Sequence, residues 1–176
     1  MSVKFGTVRQ LGYVVRNLKA AVDYWTQCIG VGPFFLFATA PVHDLRYKGN
    51  PTDAKVTFAL AQSGSVQIEL IAPLDDHPSV FREHLNAYGE GLHHVAYWTT
   101  DFAALSAEAR AAGMEEVQSG YTGDAAGRFA YFAGAAHPGS CIEISALSAP
   151  KRKLFDDVAR AALSWDGAPE SAIVRV

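Results

Sequence analysis

Four side chains in this sequence are placed to act together: Gln10, Glu69, His94 and Glu143. Glu69 and Glu143 each interrupt a short apolar run, Val-Gln-Ile-Glu-Leu-Ile (66–71) and Ser-Cys-Ile-Glu-Ile-Ser-Ala-Leu (140–147). A carboxylate held away from water is costly unless it is paired, hydrogen-bonded or bound to a metal. Metal binding would answer that cost, and so would ion pairs with Lys55, Arg9 or Arg128. Singly, each residue also has an ordinary use. A strand Glu can face water, a strand Gln can satisfy backbone groups, and a histidine can pack in a core.

Recurrence sets these four apart. Gln10-Leu11-Gly12-Tyr13 lies over His94-Val95-Ala96-Tyr97 at an offset of 84, and Asn17 over Asp101 at the same offset. Gly30 lies over Gly113 at 83 and Glu69 over Glu143 at 74, so the second copy has shorter loops. Duplication of this length is a strong organisational signal.

Each copy reads as βαβββ, which makes the fold class α+β. In the first, β-rich residues 7–15 precede an Asn17 N-cap and an amphipathic helix over 18–28, stopped by Gly30 and Gly32-Pro33. Extended segments follow at 34–38, 55–62 and 66–71, with residues 41–53 read as a long loop. In the second, a strand over 92–99, an Asp101 cap, a helix over 102–112 and strands near 115–119, 128–133 and 140–146 repeat the order. The spacing predicts a short linker helix over 80–86 and a terminal helix over 151–165, its stripe formed by Leu154, Phe155, Val158 and Ala162. One domain is expected over 1–148 (a first module at about 7–74, a linker at 75–90, a second module at about 91–148), with helix and tail at 149–176.

Strand alternation assigns the faces. In 66–71 the apolar set faces the helices, leaving Gln67 and Glu69 on the other face. The last strand leaves Cys141, Glu143 and Ser145 there. His94 alternates with His93, which is expected to face the helix layer as a packed core residue, with support of His94 as its lesser use.

The composition is that of a globular chain: 176 residues, 49% hydrophobic, 19% charged, with a net charge of −3. Nothing in that balance favours nucleic acid or an anionic membrane. Cys28 and Cys141 each sit in apolar surroundings and read as two buried thiols, not a disulfide framework. Residues 1–6 lack a signal-peptide run, and no stretch approaches the ~18 apolar residues of a membrane helix. A cytoplasmic location is the default expectation.

The run Gln-Leu-Gly-Tyr-Val-Val-Arg-Asn-Leu-Lys-Ala-Ala-Val-Asp-Tyr-Trp (10–25) resembles the opening of the vicinal oxygen chelate superfamily. That group includes glyoxalase I, methylmalonyl-CoA epimerase, extradiol dioxygenases and bleomycin-resistance proteins. Residues 67–74, Gly91-Leu92-His93-His94-Val95-Ala96 and 137–143 are similar to its other signature strands, in order and spacing. The Gly-Leu-His-His-Val run with the late Ile-Glu-Ile resembles the epimerase-like branch most. The resemblance implies a cupped mixed sheet and one divalent metal ion held by Gln10, Glu69, His94 and Glu143. Such a Gln, Glu, His, Glu set is similar to that of zinc-binding glyoxalase I. Zinc is the expected ion, and cobalt, nickel or manganese also suit three oxygen donors and an imidazole.

The implied activity is that of a lyase or isomerase. A metal on a substrate carbonyl acidifies the adjacent C–H and stabilises an enediolate, while Glu143 moves the proton. The resemblance further implies a small carbonyl or thioester substrate, aromatic ones included, and a homodimer. Two departures stand out. Epimerases of this type use a second carboxylate whose place falls near Lys55 to Thr57, where this chain has no acid. Extradiol dioxygenases use two histidines and one carboxylate, and here Gln10 stands at the first histidine. Metal-free sequestration, as in bleomycin-resistance proteins, is the competing class.

For the substrate pocket, the expected lining is Trp98, Phe34, Phe35, Lys55, Thr57 and Arg128. His43, His77 and His84 are expected in solvated positions, and His137 in a turn with Pro138-Gly139.

Overall fold

The computed structural model describes residues 2–137, 139 and 141–176. Its first strand, β1 (Gln10–Val14), hands over at Asn17, whose Oδ1 accepts a hydrogen bond from the Ala20 amide at 3.0 Å. Helix α1 (Leu18–Tyr24) then runs on through a π-helical turn, Trp25–Ile29, and ends at Gly30 in the left-handed conformation (φ 77°) that glycine adopts without strain. The second copy starts identically. After β7 (Gly91–Thr99), Asp101 Oδ1 accepts from the Ala104 amide at 3.0 Å and α3 (Phe102–Ala111) follows.

The remaining strands are β2 (Phe34–Phe37), β3 (Val42–Tyr47), β4 (Asn50–Pro51), β5 (Val56–Ser63) and β6 (Val66–Pro73) before β7. After α3 come β8 (Glu115–Thr122), β9 (Arg128–Ala133), β10 (Cys141–Ala146) and β11 (Ile173–Arg175). They form one eleven-stranded sheet in the order β11-β2-β5-β6-β1-β7-β10-β9-β8-β3-β4. At its centre β1 lies parallel to β6 and antiparallel to β7, and β7 lies parallel to β10. The two modules are thus joined strand to strand within one chain.

One core lies between α1 and the first module, around Val22, Phe34, Ala61 and Leu70. Another lies under α3, around Ala109, Phe132 and Ile144. The third fills the hollow of the sheet and includes Val14, Ile71, Phe81, Leu85, Phe129 and Tyr131. Phe81 and Leu85 come from the linker helix α2 (Val80–Tyr88), which is capped by Ser79 and therefore closes one end of the hollow.

One element differs from the sequence expectation. Residues 41–53, expected as a loop, fold into the β3–β4 hairpin, with Asp44 and Lys48 at positive φ. Its partner β8 lies some seventy residues downstream, so no local alternation announces it. Tyr47 Oη donates to Glu83 at 2.6 Å and Lys48 Nζ to the same carboxylate at 3.0 Å, pinning the hairpin to α2. The terminal helix α4 (Ala149–Ser164), expected to pack on the body or on a partner chain, packs on the body over β5. Val158, fully buried, anchors it, a burial worth roughly 2 kcal/mol. The chain then returns through β11 to pair with β2. Of the turn expected at Pro138-Gly139 and the strand start at Ser140, Pro138 and Ser140 lie outside the described residues. Among the described residues, no helix is long and apolar enough to cross a membrane.

Candidate metal centre

Registration of the central strands builds the site. Leu60, Glu69, Gly12, His94 and Cys141 are successive partners across five strands and form one row. Gln67, Gln10, Ala96, Glu143 and Tyr131 form the next. Only small residues, Gly12 and Ala96, separate the functional ones, so the long side chains converge.

Glu69, His94 and Glu143 each offer a ligand atom, and these atoms lie within 4.8 Å of one another. His94 Nε2 stands 3.4 Å from Glu69 Oε2 and 3.3 Å from Glu143 Oε2. It is inside ion-pair reach of both but aligned as a hydrogen-bond donor to neither, and it is a buried nitrogen without a hydrogen-bond partner. Gln10 lines the same cavity, its Nε2 donating to Gln67 Oε1 at 2.7 Å, which leaves its own Oε1 as the free donor atom. The four expected ligands therefore come from both modules of a single chain.

Gly12 is part of this arrangement. A Cβ there would lie 1.9 Å from Cε1 of His94, so the imidazole lies flat against bare backbone. His93 lies behind the ring. The β1–β7 ladder shifts register at Gly12/Tyr13, leaving His93 as the extra residue of a bulge. The expected helix-facing orientation is lost for that reason. His93 packs instead with Phe81, His84 and Tyr131, its Nδ1 3.0 Å from Nδ1 of His94. It remains a buried core histidine and also braces His94.

Electrostatics follow from this packing. Burial works against charge on His94, but the two carboxylates outweigh it and raise its pKa to about 9. Burial raises the pKa of Glu69. Burial opposes charge on Glu143 too, yet the adjacent His94 holds that carboxyl below its usual range. His93 is pushed well down by burial and the neighbouring His94, and burial lifts the Cys141 thiol to about 12.

Gln10, Glu69 and Glu143 line a cavity of about 250 Å³, while His94 is fully buried against the two carboxylates. The cavity walls are mostly apolar and include Phe37 stacked on Phe58, with Val42, Leu45, Phe129 and Phe155. Val42 and Leu45 come from the hairpin, and Leu154 and Phe155 from α4. Sequence reasoning missed these walls and also Lys151 of α4, which reaches the cavity. Lys151 Nζ donates to Ser145 Oγ at 2.9 Å and to the Gly127 carbonyl at 3.1 Å.

None of the six expected pocket residues lines this cavity. Trp98 is on the right face, but Phe155 stacks on it at 4.2 Å and Arg9 lies 5.1 Å above its ring. Phe34 belongs to the core under α1, and Phe35 stops short while Phe37, two residues on, reaches the wall. Lys55 is exposed, and the Thr57 hydroxyl donates to the Phe37 carbonyl at 2.9 Å. Arg128 is exposed and lies over Phe102 of α3, on the helix side. His84, expected in solvent, is buried against His93 because it shares the buried face of α2 with Val80, Phe81 and Leu85. Cys28, expected buried, is exposed in the π-helical turn, whereas Cys141 is buried as expected.

Comparison with known proteins agrees with the fold. The sequence profile of the glyoxalase/bleomycin resistance protein/dioxygenase superfamily matches residues 9–132, and the chain belongs to that superfamily. A methylmalonyl-CoA epimerase from Mycobacterium tuberculosis superposes with a TM-score of 0.60 at 20% identity, over 87% of this chain and 96% of that one. A hypothetical protein from Bacillus halodurans gives 0.57 at 17%, over 81% and 94%. A Streptomyces coelicolor methylmalonyl-CoA epimerase in complex with 2-nitronate-propionyl-CoA gives 0.53 at 20%, over 81% and 97%. No curated protein sequence matches the chain.

Proposed function

We propose that this chain is a divalent-metal-dependent isomerase or lyase that moves a proton next to a substrate carbonyl. One observation carries the reading: Glu69, His94 and Glu143 converge within 4.8 Å, and the two carboxylates open onto a mostly apolar cavity. The residues fit a metal. A buried imidazole nitrogen stands without a hydrogen bond between two carboxylates, on a glycine that leaves room for its ring. Gln10, Glu69, His94 and Glu143 would hold the ion, with zinc favoured and cobalt, nickel or manganese compatible.

Bound there, a dication would polarise the substrate carbonyl and so acidify the neighbouring C–H. The chain's own groups do the rest. Glu143, with a carboxyl held below its usual range, is ionised and takes the proton. Phe37, Phe58 and Phe155 orient an apolar acyl group, and α4 with the hairpin keeps water from the reacting carbon. At the place where a two-carboxylate epimerase needs its further acid, Lys55 is exposed and Thr57 is committed to the Phe37 carbonyl. The proton is therefore removed and returned by groups on the cavity floor, which favours isomerisation or lyase chemistry over two-base epimerisation. A second copy of the chain is not needed to complete the site, whatever the oligomeric state.

The test is metal uptake. Protein purified without chelator is expected to carry about one divalent ion per chain, and stripping followed by zinc is expected to raise its melting temperature. A protein that takes up no metal, and whose melting temperature no divalent ion alters, would be a sequestering protein for apolar ligands and not this enzyme.

A further inference from the structure

Lys151 is unusual on three counts. It lies in the first turn of α4, the helix end at which a positive charge is electrostatically disfavoured. It is only partly exposed and lines the cavity that holds Glu69 and Glu143. Among the described residues it forms no ion pair, since none of the carboxylates approaches its Nζ within 4.0 Å. Of its three N–H donors, two are spent on Ser145 Oγ and the Gly127 carbonyl. One remains for the cavity.

A charge count turns this into a ligand class. Resting on the metal-centre reading, a dication is neutralised by Glu69 and Glu143, and His94 binds it as a neutral imidazole. Lys151 then leaves the loaded cavity with one uncompensated positive charge amid apolar walls. Such a charge is stabilised by a ligand carrying one negative charge. The cavity volume of about 250 Å³ falls below the range usual for drug-sized ligands, and its aromatic walls suit a compact ring or branched chain. We infer that Lys151 is a specificity-determining residue that binds the carboxylate of a small, apolar, monoanionic substrate such as an aryl or branched carboxylic acid bearing a carbonyl. Because Ser145 lies two residues from Glu143 on the same face of β10, the same lysine sets where that ligand stands relative to the base.

The test compares phenylacetate with phenylacetamide, which has nearly the same shape and no charge, by calorimetric titration of zinc-loaded protein. Wild type is expected to prefer the carboxylate on the order of tenfold to a hundredfold, the scale of one charge-assisted hydrogen bond. Lys151→Met and Lys151→Gln are each expected to erase that preference while leaving amide binding, zinc content and melting temperature close to wild type. Lys151→Gln keeps an N–H donor at this position and carries the comparison should Lys151→Met fail to fold. Equal binding of both probes by zinc-loaded wild type would overturn this inference alone. So would a preference that survives both substitutions, since the metal and not the lysine would then hold the carboxylate. A wild-type chain that binds no divalent ion, zinc, cobalt, nickel and manganese included, would remove the proposed function and, with it, the charge surplus on which Lys151 was assigned.

Discussion

Replacing Gly12 by alanine tests the geometry of the proposed metal centre without altering any of its four proposed ligands. The added Cβ would stand 1.9 Å from Cε1, 2.3 Å from Nε2 and 2.4 Å from Nδ1 of His94, where ordinary contact begins at 3.4 Å. The ring must retreat by about 1.5 Å, the difference between 3.4 and 1.9 Å. Metal–nitrogen bonds tolerate only about 0.2 Å, so the displaced imidazole no longer coordinates. Zinc affinity is expected to fall on the order of a hundredfold or more, beyond the usual cost of disturbing a group that merely supports a ligand. Overpacking the sheet is expected to cost about 1–3 kcal/mol of stability as well. Competition with a chromophoric chelator measures the first quantity, and urea unfolding of metal-free protein the second. A Gly12→Ala protein that binds zinc like wild type, with unchanged stability, would show that the imidazole does not lie on that backbone.

Glu143→Gln keeps the side chain's shape and is expected to lower proton exchange next to a substrate carbonyl by about 10²–10⁴-fold, read by solvent-deuterium incorporation, with little change in melting temperature. Severe unfolding instead would mark Glu143 as a structural partner of His94. In metal-free protein the raised pKa of His94, about 9, implies a stabilising contribution that is fully present below the unfolded value near 6.5 and lost as pH rises through about 9. Melting temperatures of stripped wild type are thus expected to fall over that window relative to His94→Gln, while zinc affinity climbs because the ion and the proton compete for the ring. Parallel pH profiles for the two proteins would contradict this. Phe155→Ala uncovers Trp98 and is expected to red-shift tryptophan emission and cost about 2 kcal/mol, as chemical denaturation would show. An unshifted spectrum would mean that α4 does not rest there.

Much of the site is legible in the sequence because its chemistry breaks a pattern twice. Glu69 and Glu143 interrupt apolar alternation at equivalent points of a duplication, a recurrence that a shared partner would explain. The parts that escape depend on contacts no local period encodes. His93 turns inward because the ladder carries a bulge, whereas face assignment by alternation assumes an unbroken register. Two histidines in succession were the available signal. Trp98 sits on the expected face, but whether that face is open depends on where α4 lands, fifty residues later. Lys151 stands in a Lys-Arg-Lys run that reads as solvated helix surface. Its place just after the Ser148 cap, against the helix dipole, was the one clue. Gly12 looks like any strand glycine until the ring above it is seen.

The hairpin at Val42–Tyr47 has a consequence for the order in which the chain is made. Its hydrogen-bonding partner, Glu115–Thr122, leaves the ribosome long after it does. During that interval the first module carries an unpaired strand edge, open to pairing with another nascent chain. A fragment holding only residues 7–74 is therefore expected to associate with itself, and the full chain to acquire its last sheet contacts at a late, slow stage of folding.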